Sequence, residues 1–279
     1  SVTGLSPGVT YYYCAIVQSA EGIAFGSVLS LTTADAPAVS TTAATAVTSG
    51  GATLNGSANP NLASATGWFR YASTNPGACN DSFGTRAPAS SFSDPALGSG
   101  SSDVAYSQAI TGLLPGTPYY YCALAANAYG TAFGAVQSFT TLAAAPSVST
   151  GSSSNRTGTG ATLNGSANPN GGDTTAWFRY STASPGTCND SFGTRAPSSG
   201  GSALGAGTSS VAFSRAITGL TAGATYYYCA IAQNAVGTAF GALQTFTTPV
   251  PPPASTSSAA SITNTGSSLN GAGNPNGAT

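Results

Sequence analysis

Leu113-Leu-Pro-Gly-Thr-Pro-Tyr119 runs straight into Tyr120-Tyr-Cys-Ala-Leu-Ala125, and the phrase recurs. Leu5-Ser-Pro-Gly-Val-Thr-Tyr11 leads to Cys14, and Leu220-Thr-Ala-Gly-Ala-Thr-Tyr226 leads to Cys229. The spacing of about 108 residues makes the chain a tandem array of one module. Asn59-Pro60, Asn168-Pro169 and Asn274-Pro275 keep the same beat, as do Trp68 with Trp177 and Cys79 with Cys188. The 279 residues then hold two whole modules, 37–141 and 146–248. The C-terminal part of a truncated module is expected at 1–33 and the N-terminal part of a further one at 254–279. Neither end piece contains the Trp-to-Cys middle section, so the two do not sum to one module. The chain reads as a window on a longer array rather than as a donor-strand pair, and the partner of Cys14 is expected upstream of Ser1. Short Ala/Pro joints, Ala34–Pro37, Leu142–Pro146 and Pro249–Pro253, predict spaced modules on stiff links.

Within 37–141, Ala52-Thr-Leu-Asn-Gly-Ser-Ala58 alternates apolar and polar residues as a half-buried strand does. Asn59-Pro60-Asn61 ends it as a turn. Gly67-Trp-Phe-Arg-Tyr71 is a short aromatic strand, with Phe69 and Tyr71 on one face and Trp68 and Arg70 on the other. A Ser-, Pro- and Gly-rich section from Ala72 to Asp103 follows. Val104–Ile110, the Tyr-Cys strand and Val136–Thr140 close the module. No stretch has helical periodicity, and many short strands between Gly, Pro and Asn turns predict an all-β sandwich.

Leu113–Tyr119 resembles the L-x-P-G-T-x-Y lead into the sixth strand of a fibronectin type III domain. Its two repeats do the same, with Ala222 departing from proline. Asn127-Ala-Tyr-Gly130 and Asn234-Ala-Val-Gly237 resemble the N-x-x-G turn that follows. Ala161–Asn170 and Gly237–Gly241 are similar to the variant strung in tandem through bacterial surface and secreted proteins. The resemblance implies tandem fibronectin type III-like sandwiches, with the leucine and tyrosine in the core and the tyrosine closing a corner hydrogen bond. It says little about function, because that fold hosts many roles. The immunoglobulin disulfide runs in the order Cys, Trp, Cys; here Trp68 precedes Cys79 and the 52–58 strand has no cysteine, so that reading fails.

Tyr119–Ala125 is apolar at every position, which implies that both its faces are covered. With Tyr119, Tyr121 and Ala123 inside the sandwich, Tyr120, Cys122 and Leu124 face out beside Trp68. The 72–103 section is the expected cover, folded over the sheet and pinned by a Cys79–Cys122 bond, with Cys188–Cys229 in the next module. Closing such a loop stabilises a domain by about 4 kcal/mol on the chain-entropy argument. A neighbouring module or chain is the other candidate cover, and would make Trp68, Tyr120, Trp177 and Tyr227 an interaction surface. The two covers are compatible. Structural disulfides and the lack of any CxxC point to an oxidising, extracellular or cell-surface setting.

Asn80-Asp-Ser-Phe-Gly-Thr-Arg86, repeated as Asn189–Arg195, offers too few carboxylates for calcium and reads as an Asx turn with Asp81 near Arg86. Trp68 with Arg70, and Trp177 with Arg179, predict outer-face packing with a cation–π contact; a sugar platform is the alternative. Asn55, Asn80, Asn155, Asn164 and Asn189 head N-x-[ST] patterns, so glycans enter as possible partners.

Charged residues make up 5% of the chain and the net charge is −1. That excludes the basic stripe nucleic-acid binding needs and removes the repulsion that keeps chains apart. There is no run of about 20 apolar residues to span a membrane. With no His and no Lys, the commonest general base and the Schiff-base amine are missing, and no cofactor motif is present. The expected role is therefore not an enzyme. It is the structural repeat region of an extracellular fibre, sheath or surface stalk that self-associates with neighbouring modules or chains. An adhesin or carbohydrate-binding accessory module is the alternative.

Overall fold

The chain's structure, a computed structural model, describes residues 1–274. The last five residues of the expected 254–279 piece lie outside the described residues. Among the described residues the architecture is all-β, with a single 3-10 turn at Ser91–Ser93, and the chain divides into two units after Leu142.

In the first unit, β1 (Thr10–Tyr13) pairs with β4 (Leu29–Thr32), and β2 (Ile16–Ser19) with β3 (Gly22–Phe25). The next nine strands build a sandwich. They are β5 (Ala38–Thr45), β6 (Gly51–Asn59), β7 (Ala65–Ala72), β8 (Thr85–Ala87), β9 (Ala96–Gly98), β10 (Val104–Thr111), β11 (Pro118–Asn127), β12 (Gly130–Phe133) and β13 (Gln137–Thr140). One sheet runs β10-β6-β5. In the other, β11 and β7 lie side by side, β12 and β13 follow one another along the free edge of β11, and β8 and β9 do so along β7. All these pairings are antiparallel. This is the strand order of a fibronectin type III-like sandwich.

The second unit repeats it with β14 (Ser147–Thr157), β15 (Gly160–Asn168), β16 (Thr174–Ser181), β17 (Thr194–Ala196), β18 (Ser202–Gly205), β19 (Val211–Thr218), β20 (Thr225–Gln233), β21 (Thr238–Phe240) and β22 (Gln244–Thr247). A hairpin of β23 (Ala254–Ala260) and β24 (Ser268–Gly273) ends the described chain.

Alternation decides the core. Leu54, Phe69, Tyr121 and Ala123 are fully buried between the sheets, with Tyr106 packed on Phe69 at a centroid distance of 5.1 Å. Leu163, Phe178, Tyr228 and Ala230 do the same in the second sandwich. The corner tyrosines close as the resemblance implied: the Tyr119 hydroxyl accepts from the Leu114 N–H at 3.1 Å and Tyr226 from Thr221 at 3.0 Å. Tyr11 accepts from Ser6 at 2.9 Å. Ala222 leaves that bond intact because the bond uses backbone N–H, not the proline.

Candidate functional site

The outer face of the six-stranded sheet carries a second, smaller apolar cluster in each sandwich. Trp68, Cys122 and Leu124 are buried there with Cys79 and Phe83 against them. Trp177, Cys229 and Ile231 are buried with Cys188, Phe192 and Leu243. Disulfides join Cys79 to Cys122 and Cys188 to Cys229, each with Cα atoms 6.0 Å apart. Each sandwich therefore holds one intramodule disulfide. Cys14 is exposed and pairs with no other cysteine among the described residues.

The 72–103 section is not simply a flap over this face. Residues 85–87 and 96–98 extend the sheet beside β7, and their Ala87 and Leu97 enter the main core. On the outer cluster lie Cys79 and Phe83, with Asp81 reaching in between. The physical reason is that β7 would otherwise present a bare edge, and short strands cap it.

The polar frame differs from the expected pairing. Asp81 does not meet Arg86. Its Oδ1 accepts from Trp68 Nε1 at 2.9 Å and from Arg70 Nε at 2.8 Å. Arg86 instead lies over the Trp68 ring, 4.9 Å from the centroid, and donates to Asp94 at 2.6 Å and the Pro88 carbonyl at 2.8 Å. The cation–π donor is thus Arg86, not Arg70. Register explains both corrections: Arg70 and Arg86 are directly opposed on β7 and β8, so two guanidiniums on one face take different partners. The second sandwich repeats the frame, with Trp177 and Arg179 on Asp190 at 2.8 and 2.9 Å and Arg195 over Trp177 at 4.5 Å. Its shorter loop has no counterpart of Asp94, and Arg195 donates to the carbonyls of Pro197 and Gly200.

Trp68 is 6% and Trp177 4% exposed, while Tyr120 and Tyr227 are half-buried. Asn80 Oδ1 accepts from the Ser82 and Phe83 N–H groups at 2.9 and 3.0 Å, an Asx turn that folds Phe83 inward. Asn189 forms the same turn. Among the N-x-[ST] positions, the Asn55 and Asn164 nitrogens are engaged across the sheet, donating to Ala43 and Ser152 carbonyls at 2.8 Å each. There they fill the bulges where β5 and β14 slip register. Asn155, with φ 46, and Asn80 are exposed. Among the described residues no three His, Cys, Asp or Glu side chains gather as a metal site. The buried phenols carry raised pKa values through desolvation, Tyr121 up to about 12 and Tyr106 further. What this arrangement does chemically is hold shape.

Thr41 and Thr150 were not singled out by pattern, whereas Asn127 and Asn234 head the N-x-x-G turns. Thr41 and Thr150 accept from the buried N–H groups of Ala123 and Ala230 at 3.0 Å. Asn127 ties its turn to the Asp35 and Pro60 carbonyls at 2.7 and 3.0 Å, and Asn234 does so to Ala144 and Pro169. Their signal was positional: each Thr sits four residues after a joint proline, Pro37 or Pro146.

The chain matches no family model and no curated protein. Among solved structures it overlaps the FN1–FN3 domains of chicken CNTN1 at 10% identity, over 88% of this chain and 76% of that one, with a TM-score of 0.27. It also overlaps the sensor domain of the anti-sigma factor RsgI4 of Pseudobacteroides cellulosolvens at 18% identity, over 38% and 89%, with a TM-score of 0.23. Overlaps this loose add nothing to the assignment, which rests on strand order and the corner tyrosines. No helix among the described residues is long and apolar enough to cross a membrane.

Proposed function

We propose that the chain is a structural repeat region of an extracellular fibre, sheath or surface stalk, made of whole modules at 37–141 and 146–248 with parts of further modules at 1–33 and 254–279. The carrying observation is the outer face. Each sandwich covers its own indole, staples the cover with a disulfide and ties it with an Asp between Trp and Arg. The indole, the disulfide and the Asp–Arg pair of each outer face are spent on holding the module shut, and a row of such modules is an inert spacer. Disulfide-bonded sandwiches of this kind are typical of oxidising compartments. On this reading Cys14 pairs with a cysteine upstream.

Lateral association is the second part of the proposal. Phe133 and Phe240 stand at equivalent edge-strand positions, each 47% exposed, and Tyr129 and Val236 at equivalent loop tips, 60% and 58% exposed. With a net charge of −1, little repulsion opposes contact between copies. Electron microscopy of the concentrated oxidised protein tests this: filaments or bundles are expected, and dispersed single particles throughout the concentration range count against it. The adhesin or glycan-binding alternative would need the indoles open to a sugar ring, and their burial favours the spacer.

A further inference from the structure

The chain enters the first sandwich through β5 and leaves through β13, and both strands lie outside the covalent ring that Cys79 and Cys122 close. The ring contains β8, β9, β10 and the first half of β11. A pull on the chain from either side runs through β5, β6 and β7 to Cys79, crosses the sulfur–sulfur bond, and leaves from Cys122 through the rest of β11, β12 and β13. The covalent path bypasses the ring. What resists first is non-covalent. Strand β5 is held by its ladder to β6 and by two ties to β11, Thr41 to the Ala123 N–H and the Tyr121 hydroxyl to the Thr42 carbonyl. Strand β13 is held to residues 118–121 of β11. The second sandwich has the same order, with β14 and β22 outside the Cys188–Cys229 ring and Tyr228 tied to the Gly151 carbonyl.

We propose that each module is a tension-bearing unit whose reach is set by its disulfide: pulled end to end, it yields only the chain outside the ring, and the bond then carries the load. This rests on the structural-repeat reading above and extends it to behaviour under force. The rings span sequence separations of 43 and 41. At about 3.5 Å per extended residue they withhold about 150 and 145 Å. Cys122 and Cys229 are fully buried and Cys79 and Cys188 partly buried, so each bond opens fully to a thiol once the chain outside its ring is extended.

The test is force-clamp extension of single oxidised molecules of the full chain, held by the two ends, with and without dithiothreitol. Without the reagent, each module is expected to lengthen in one step. With it, each such step is followed by a second of about 150 or 145 Å. In that second step one reagent thiolate attacks the exposed bond, forming a mixed disulfide and expelling one cysteine thiolate. The second reagent sulfur closes its own ring and expels the other, so two electrons pass from dithiothreitol to the cysteines. Modules that reach full length in one step without reagent, or that show no reagent-dependent step, overturn the proposal. In a C79A/C122A chain the first module should extend about 150 Å further in one step while the second keeps two; if that variant does not fold, the parent chain alone decides. Dispersed particles in the microscope would remove lateral association and leave these steps intact, whereas missing second steps would remove the tether whatever the microscope shows.

Discussion

Replacing Thr41 by valine isolates one hydroxyl. Strand β11 pairs with β12 as far as Leu124 opposite Phe133, and with β13 from Tyr121 opposite Gln137. Cys122 and Ala123 therefore face the break between those two strands. There Gly134 donates to the Ala123 carbonyl at 2.9 Å, and the Ala123 N–H turns to Thr41 Oγ1 at 3.0 Å. A Cβ on Gly134 would collide with that same hydroxyl, so the glycine is fixed by the close approach. Ala123 is fully buried, and no water reaches its N–H if the hydroxyl is lost. Valine keeps the shape and branching of threonine, so the expected cost is that of an orphaned buried donor, about 1–3 kcal/mol. For a domain of this size that lowers Tm by about 4–8 °C per kcal/mol. In a W177F background Trp68 alone reports, and urea unfolding followed by its fluorescence gives the loss for the first sandwich. T41S keeps the oxygen and should lose about 1 kcal/mol or less, from the missing methyl. T150V, read in a W68F background, should repeat the loss in the second sandwich. A T41V protein within about 0.5 kcal/mol of the parent, or a T41S protein losing as much as T41V, would show that the Thr41 hydroxyl is not what holds the Ala123 N–H.

Removing both Cys79 and Cys122 as alanines should destabilise the first sandwich by about 2–5 kcal/mol and leave the second unchanged, as seen in separate calorimetric transitions; equal loss in both would contradict a bond internal to one module. Tyr119→Phe deletes the acceptor for the Leu114 N–H and should cost about 0.5–1.5 kcal/mol in urea, with no measurable effect counting against the corner bond. Alkali should separate the two sandwiches. Burial raises Tyr121 to about 12 and Tyr106 beyond it, whereas in the second sandwich Tyr228 is raised and Phe213 replaces Tyr106. Unfolded tyrosines ionise first, near pH 10, so the contribution of these phenols to stability is flat below that value. Above it, stability falls by up to about 1.4 kcal/mol per pH unit for each such group. Circular dichroism during an alkaline titration should show the first sandwich opening at the lower pH, and the reverse order would be evidence against these burial effects.

The outer-face disulfides were legible because Tyr119–Ala125 has no polar face to give to water, and the cysteine in it recurs with a partner at fixed offset. Phe69 and Trp68 fell on opposite faces as a period of two requires. The 38–45 strand was missed, since Ala-Val-Ser-Thr-Thr-Ala-Ala-Thr lacks contrast between its faces and is broken by a bulge that Asn55 fills. The short strands at 85–87 and 96–98 have too few residues to show any period.

Local order along the chain determined the module, its repeat, its two-faced aromatic strands and the positions of its turns, because alternation and turn chemistry act between near neighbours. Which arginine stacks on which indole, which carboxylate answers it, and which threonine serves the buried amide of Ala123 were decided only by tertiary structure. Those choices depend on cross-strand register between segments far apart in sequence, such as Arg70 facing Arg86 and Thr41 meeting Ala123, and no spacing along the chain encodes that register.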